Sequence, residues 1–245
     1  LSSSITTLVT CAGANDGTVA LQITGGSGSY QVVWNTTPAR TGSTLTGAAP
    51  GTWTATITDQ NGCAQSTSIQ VNLPGPSTPL AVHALAQAYP GGAHLSCPDA
   101  SDGSAQATVS GGTAPFTITW SHPDGSTSSG SLVNGLGAGS HVVSVVDAHG
   151  CSAQQSLVIQ PAVSVNVAAV VVPALCHGDN TGAVDVTVNG GVAPYAYAWS
   201  GPDGFASTSP DQTALFAGVH VLRVTDANGC LSAHAFDVTE PGTFQ

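Results

Sequence analysis

The sequence has no lysine and no methionine, and its only Lys or Arg residues are Arg40 and Arg223. With 13 acidic residues, the formal net charge at pH 7 is −11. A surface that binds phosphates needs clustered Lys and Arg, so this composition excludes nucleic acid as a partner. Electrostatic attraction to anionic lipid is excluded for the same reason.

Long apolar runs are also missing. None approaches the roughly 20 residues of a membrane-spanning helix, so we expect no membrane insertion. No signal peptide is evident, and residue 1 leads directly into a strand-like stretch without an initiator methionine. The chain is therefore expected to be a processed or excised stretch of a longer protein.

Catalytic signatures are missing as well. The sequence contains no G-x-S-x-G elbow. No part of it carries a set of Ser, His and acidic residues that its sibling parts lack. We therefore expect a protein that is not an enzyme and that needs no cofactor or metal.

What the sequence does contain is one module written three times. Its six cysteines form three pairs, 52 or 54 positions apart: Cys11 and Cys63, Cys97 and Cys151, and Cys176 and Cys230. Each pair brings a glycine at +6 from the first cysteine, Gly-Gly at +14, an aromatic at +19, Trp at +23, and Asp four positions before the second cysteine. Such self-similarity indicates a tandem array, with predicted units at 1–76, 77–161 and 162–245.

Apolar residues alternate within each unit with a period of two, which predicts short, half-buried strands. Asn-Gly or His-Gly before the second cysteine predicts a tight hairpin. About seven strands per unit, with no convincing helical period, favour an all-β fold of three immunoglobulin-like sandwiches. Trp34, Trp120 and Trp199 are the expected core anchors, since a tryptophan buries roughly 150–250 Å².

Six cysteines allow 15 pairings. Because each unit must fold alone or beside its neighbour, we expect one internal disulfide per unit: Cys11–Cys63, Cys97–Cys151 and Cys176–Cys230. Each bond would join the loop before the second strand to the last hairpin, at one end of the sandwich, and would stabilise the unit by about 4 kcal/mol. Paired cysteines in units this small also indicate an extracellular compartment. A Cys/His metal site is disfavoured because the C-x-x-C spacing is absent.

The pattern resembles the SprB repeat, most plainly in the third unit: Cys176, Gly190-Gly191, Pro194-Tyr195, Trp199, the run from Val224 to Cys230, and Glu240-Pro241. The resemblance extends over nearly the whole chain. It implies a segment of a very large surface protein of Bacteroidetes, of a kind often exported by the type IX system and in some cases active as an adhesin in gliding motility. It names no ligand.

Three alternatives concern bound ions, bound sugars and side-chain roles. Asp16 and Asp102 at +5, with Asp59 and Asp147 near the hairpin, could hold calcium, but capping of tight turns is favoured because unit three has threonine at +5. Histidine at the inward-facing position of two units is expected to pack rather than to bind metal. Three aromatics could stack on sugars, although cover of their own sandwich is favoured: Tyr89, Phe205 and Phe216.

Three functions remain open. The first is the stalk or adhesive shaft of a surface adhesin on a bacterial cell. The second is a self-assembling extracellular filament subunit, and the third is an accessory carbohydrate-binding array of a secreted protein. The partners would be a surface, a glycan or a protein, the neighbouring repeats, or other copies of the chain. Proline-rich linkers predict an end-to-end rod of roughly 100–120 Å.

Overall fold

The computed structural model describes residues 2–26, 28–59 and 66–243. These residues form an all-β structure in which three successive groups of seven strands follow the three predicted units. The first group is β1 (Ser2–Thr7), β2 (Gly17–Gln22), β3 (Tyr30–Trp34), β4 (Arg40–Thr41), β5 (Thr44–Ala48), β6 (Gly51–Asp59) and β7 (Ser66–Leu73).

The second group is β8 (Ala81–Ala86), β9 (Gly103–Ser110), β10 (Thr117–Ser121), β11 (Thr127–Ser129), β12 (Leu132–Leu136), β13 (Gly139–Val146) and β14 (Ser152–Ile159). The third is β15 (Asn166–Val172), β16 (Gly182–Asn189), β17 (Ala196–Ser200), β18 (Ala206–Ser207), β19 (Gln212–Leu215), β20 (Gly218–Thr225) and β21 (Leu231–Val238). A single 3₁₀ turn, Pro202–Gly204, precedes β18. Within the described ranges no helix has the length and apolarity needed to cross a membrane.

Each group, hereafter a repeat, folds into two antiparallel sheets with the same topology. The first, second and fifth strands make a three-stranded sheet, with the second in the centre. The other sheet has the order fourth, third, sixth, seventh. This arrangement confirms the predicted immunoglobulin-like sandwich.

The tryptophan at +23 lies at the centre of each repeat. Trp34, Trp120 and Trp199 are 1%, 0% and 3% exposed. Each indole N–H donates to a backbone carbonyl about ten positions later, so burial leaves no indole donor unpaired. Each tryptophan belongs to a separate hydrophobic cluster, and the clusters draw on residues 9–73, 84–159 and 165–238. The exact boundaries between units stay a prediction.

The last two strands of each repeat define its two ends. In the second repeat Val146 pairs with Ser152 beside the hairpin, and Gly139 pairs with Ile159 at the far end of the same two strands. We call the hairpin end the N-terminal pole and the end where the last strand finishes the C-terminal pole. Eight residues of strand separate them, about 26 Å at 3.3 Å per residue.

The glycine at +6 lies at the C-terminal pole, where the last strand leaves no room for a side chain. A Cβ on Gly103 would lie 2.9 Å from the carbonyl oxygen of Leu136 and 3.3 Å from Ile159. Gly17 and Gly182 are enclosed in the same way by Leu73 and Val238. The loop that carries the first cysteine is thereby packed against the end of its own repeat.

Candidate functional site: disulfide junctions between repeats

The first cysteine of each repeat lies in a loop between the first and second strands, at the C-terminal pole. We call this segment the cysteine loop; it comprises 10–16, 96–102 and 175–181. In the second repeat it is tied to the last strand through His94, whose backbone N–H donates to the carbonyl of Gln160 at 2.9 Å. In the third repeat Ala174 donates to Thr239, also at 2.9 Å.

All three cysteine loops share one hydrogen-bond pattern. The backbone N–H before the cysteine donates to the side chain at +5, and the N–H at +3 donates to the cysteine carbonyl. The first bond joins Thr10 to Asp16 (3.1 Å), Ser96 to Asp102 (3.1 Å) and Leu175 to Thr181 (2.8 Å). The second joins Ala14 to Cys11 (3.0 Å), Ala100 to Cys97 (3.1 Å) and Asp179 to Cys176 (3.2 Å).

The two aspartates at +5 therefore cap a turn, as the sequence analysis favoured over calcium binding. Hydrogen bonds from the side chain and backbone of Thr10 hold the pKa of Asp16 below its usual value. Hydrogen bonds from Ser96 lower the pKa of Asp102 in the same way. Thr181 makes the equivalent backbone contact without a charge, which explains why threonine can replace aspartate there.

In the second and third repeats the second cysteine lies in the hairpin at the N-terminal pole. In the second repeat Asp147 organises this hairpin: one carboxylate oxygen accepts the N–H groups of His149 and Cys151, both at 2.9 Å, and the other accepts that of Thr113 at 2.9 Å. Burial opposes ionisation of Asp147, but these N–H donors outweigh it and its pKa is lowered.

Asp226 repeats this arrangement in the third repeat, with N–H donors from Asn228, Cys230 and Val192 at 2.9 Å each. The second glycine of the Gly-Gly pair leaves room for the carboxylate. A Cβ on Gly191 would lie 3.0 Å from a carboxylate oxygen of Asp226. The carboxylate therefore fixes the hairpin that presents the second cysteine.

The disulfides connect different repeats. Cys11 of the first repeat is bonded to Cys151 of the second, with a Cα–Cα distance of 5.7 Å. Cys97 of the second repeat is bonded to Cys230 of the third, with a Cα–Cα distance of 5.5 Å. At each junction, the cysteine loop of one repeat meets the hairpin of the next.

The expected internal bonds Cys11–Cys63, Cys97–Cys151 and Cys176–Cys230 are therefore wrong. In the second and third repeats the physical reason is distance: the first cysteine lies at the C-terminal pole and the second at the N-terminal pole, separated by the length of the last strand. A disulfide requires Cα atoms within about 7 Å. Cys11–Cys63 is excluded because Cys11 is bonded to Cys151. Cys63 lies outside the described residues. Among those described, Cys176 is the cysteine without a disulfide partner, and it is exposed.

Noncovalent contacts extend the second junction beyond the disulfide. The side-chain amide of Asn228 donates to the carbonyl of Pro90 at 3.2 Å. A Cβ on Gly91 would lie 2.7 Å from Val192, so the insertion that precedes Cys97 packs directly on the third repeat. Cys230 is 6% exposed at this contact. The two repeats thus meet through packed surface as well as through the covalent bond.

The remaining candidate side chains have structural partners in their own repeats. His141 and His220 are buried, and the Nε2 atom of each lies 3.0 Å from the carbonyl four residues earlier, as expected for a packing role. Trp53 has the same position in the first repeat. Its indole N–H donates to the carbonyl of Ala49, also four residues earlier, at 3.0 Å. In the second repeat, His141 also meets His122, with their Nδ1 atoms 2.8 Å apart.

Two of the three candidate aromatics, Phe205 and Phe216, line one surface cavity of the third repeat, whereas Tyr89 lies in the second repeat. Tyr89 is half-buried, with its hydroxyl 3.4 Å from the carbonyl of Asp102. Phe205 packs edge-on against His220, and Phe216 is 46% exposed. His177 has its Nδ1 atom 2.7 Å from a carboxylate oxygen of Glu240.

Three segments match the family model described as the SprB repeat: residues 3–38, 95–125 and 168–204. Each of the three repeats contains one segment that matches this family model. Each matched segment runs through one cysteine loop, so the loop that forms the junctions belongs to the part of the sequence that defines the repeat. This confirms the resemblance deduced from the spacing of cysteine, glycine and tryptophan. No curated protein matches the chain in sequence.

Several solved structures share a general likeness with this chain. The eight N-terminal Ig domains of Down Syndrome Cell Adhesion Molecule align with 96% of this chain and 35% of that one, at 12% identity and a TM-score of 0.37. A tetra-tandem repeat in the extending region of a large adhesion protein aligns with 95% and 72%, at 14% identity and a TM-score of 0.30. The chain spans about a third of the first structure, and neither likeness carries a functional argument.

Proposed function

We propose that this chain is a shaft segment that carries tension in an extracellular bacterial surface adhesin, and that it is not an enzyme. The observation that carries the proposal is the pair of inter-repeat disulfides, Cys11–Cys151 and Cys97–Cys230. A disulfide that closes a loop within one domain stabilises that domain. One that joins successive domains limits how far they can separate, which is a mechanical property.

The position of the bonds supports this role. Load that enters a repeat at its hairpin cysteine leaves at its cysteine loop, on the opposite pole. It then crosses to the next repeat through a covalent bond, while the linker beside it carries none. At the first junction the bypassed linker is the proline-rich run Pro74-Gly75-Pro76-Ser77-Thr78-Pro79.

The disulfides and the family resemblance both support an extracellular location. Disulfides persist in oxidising compartments outside the cytosol, and the SprB resemblance implies a large surface protein. Export by the type IX system and a part in gliding motility are further implications of that resemblance, and they belong to the proposal.

Negative-stain electron microscopy of the purified chain tests the shaft. Under oxidising conditions we expect single, nearly straight rods of three beads. After reduction the same rods should bend between the first and second repeats, because the linker alone then holds the junction. An oxidised chain that bends as widely as the reduced one would contradict the proposal.

A second candidate function, a self-assembling filament, is favoured by one surface. The edge strand β15 (Asn166–Val172) pairs only with β16 among the described strands, and Val170 is 66% exposed on it. Exposed strand edges can add a strand from another chain. Regular fibres in the same micrographs, lost in a Val170→Lys variant, would favour this alternative. Binding on a glycan array would favour the carbohydrate-binding array instead.

A further inference from the structure

Cys176 occupies in the third repeat the position that Cys11 and Cys97 occupy in the first and second. Both of those cysteines are bonded to the hairpin cysteine of another repeat. We propose that the cysteine loop of the third repeat is a docking site for the hairpin of a further SprB repeat, and that Cys176 forms the disulfide. The proposal extends the shaft function and rests on it.

The cysteine loop of the third repeat already has the conformation of the two bonded loops. Leu175 donates its N–H to Thr181 at 2.8 Å, and Asp179 donates to the carbonyl of Cys176 at 3.2 Å. The equivalent distances in the bonded loops are 3.1 Å for the first contact, and 3.0 and 3.1 Å for the second. The loop would need no rearrangement to accept a hairpin.

Glu240 fixes this loop to the end of its own repeat. One carboxylate oxygen accepts the N–H of Gly178 at 2.7 Å, and the other lies 2.7 Å from the Nδ1 atom of His177. Cys176 is thus held between two anchored neighbours, Ala174 on one side and Gly178 on the other. An ordered thiol loses less conformational freedom on docking than a thiol on a loose tail.

Leu175 and Cys176 are both uncovered in the third repeat. The exposed fraction of Leu175 is 73%. At the formed junctions the residue equivalent to Leu175 contacts the incoming hairpin: the carbonyl of Ser96 lies 3.0 Å from the sulfur of Cys230, and that of Thr10 lies 3.4 Å from the sulfur of Cys151. A docked hairpin would therefore cover Leu175 together with Cys176.

The covalent step is a thiol–disulfide exchange. The Cys176 thiolate attacks a small-molecule disulfide such as oxidised glutathione, forms a mixed disulfide and releases one reduced thiol. The thiolate of the incoming hairpin then attacks the Cys176 sulfur and displaces the second thiol. Two protein thiols lose two electrons and two protons, and one disulfide oxidant becomes two thiols.

A second copy of the chain can present such a hairpin. In sequence, Cys63 has the hairpin position of the first repeat, although it lies outside the described residues. The test uses two variants of the full chain: Cys63→Ser, which keeps Cys176, and Cys176→Ser, which keeps Cys63. Mixed in a glutathione redox buffer, they should form a covalent one-to-one dimer joined Cys176–Cys63, as read by non-reducing electrophoresis and peptide mass mapping.

Each variant alone is the matched control. We expect both to remain monomeric, because each lacks one half of the junction. A Cys176–Cys176 dimer accumulating in the Cys63→Ser chain as fast as the mixed dimer would mean that the thiol is merely exposed, and would overturn the proposal. A mixture that stays monomeric, with Cys176 still open to alkylation by iodoacetamide, would also overturn it.

Peptide mapping of the protein taken unreduced from its native surface distinguishes the source of the hairpin. The Cys63 peptide bonded to Cys176 would indicate a second copy, whereas a hairpin peptide from elsewhere in the protein would indicate another repeat of the same chain. A free Cys176 there would contradict the proposal. The shaft function is read out separately, since the same maps show whether Cys11–Cys151 and Cys97–Cys230 are present.

Discussion

Cys11 is bonded to Cys151, across 140 positions of sequence and between two different sandwiches. Successive repeats are therefore joined twice, once through the peptide linker and once through a disulfide. Because each repeat has its own tryptophan-centred core, the disulfides act mainly on the junctions. Each repeat therefore folds around its own core, while the disulfides hold successive repeats together and restrict the unfolded chain.

The first prediction concerns the energetic coupling of Cys97 and Cys230. Cys97→Ser and Cys230→Ser should destabilise the chain equally, by up to about 4–5 kcal/mol for a loop of more than 100 residues. The double variant should be no less stable than either single one, because all three lack the same bond. Guanidinium unfolding of the oxidised proteins measures this.

Cys176→Ser is the control for these three variants. Its free energy of unfolding should stay within about 0.5 kcal/mol of that of the parent chain. Internal pairing makes the opposite prediction, namely that Cys176→Ser and Cys230→Ser are equally destabilising. A large loss of stability in Cys176→Ser would therefore argue for Cys176–Cys230 and against the inter-repeat bond.

The second prediction concerns stretching of single molecules. In the oxidised chain, the shortest covalent path runs from residue 1 to Cys11, from Cys151 back to Cys97, and from Cys230 to residue 245. That path has roughly 80 residues, about 280 Å when extended, whereas the reduced chain should reach about 880 Å. Force spectroscopy on one molecule before and after reduction compares the two lengths.

Internal pairing would give a similar oxidised length, so the discriminating change is an insertion in the first linker. Twenty Gly/Ser residues placed after Ser77 should leave the oxidised length unchanged, because the disulfide bypasses this linker. The same insertion should lengthen the reduced chain by about 70 Å. An oxidised length that also grows by that amount would show that the linker carries the load.

The third prediction concerns pH and Asp147. Its pKa is lowered in the folded state, so its contribution to stability is present above the ordinary aspartate pKa of about 3.9 and is lost as pH falls through the lower, folded value. Asp147→Asn should lower the melting temperature at pH 7, because an amide cannot accept all three N–H groups with both side-chain atoms. It should also flatten the decline in stability below about pH 4.

Asp185→Asn provides the comparison for this change, since Asp185 is exposed on β16. Its melting temperature at pH 7 should match that of the parent chain. If the two variants have the same melting temperature at every pH across the acid range, the Asp147 carboxylate does not stabilise the hairpin. Scanning calorimetry between pH 2 and pH 7 on oxidised protein would show either result.

Much of the fold was predictable from local pattern. The alternation along Val184, Val186 and Val188 predicts β16, and the tryptophan at +23 predicts the core. Asp16, Asp102 and Asp147 were correctly interpreted as turn caps, because their spacing places a carboxylate beside nearby N–H groups. These features depend on contacts between residues close in sequence. The same local pattern occurs in all three units, which makes it easy to recognise.

The disulfide partners were not predicted, because spacing alone does not determine them. In a tandem array, pairing within a repeat and pairing shifted by one repeat use the same periodic positions. The sequence did contain a signal that decides between them. Successive strands of a seven-stranded sandwich run in alternate directions, so the loop after the first strand and the hairpin after the sixth lie at opposite poles. Cys97 and Cys151 are in those two positions.

Other features needed the three-dimensional structure. The contact between Gly91 and Val192 joins positions 101 residues apart, in an insertion that only the second repeat has. Glu240 holds His177 and Gly178 across more than 60 positions. The residues that make these contacts are not repeated at equivalent positions of the other units. Comparison of the three units therefore could not predict the contacts.

Mass mapping of the intact, unreduced chain tests the central claim most directly. Digestion with pepsin at acid pH suppresses thiol exchange, and each disulfide-linked peptide pair identifies one bond. The structure predicts Cys11 linked to Cys151 and Cys97 linked to Cys230. Peptide pairs that link Cys11 to Cys63 and Cys97 to Cys151 would contradict it.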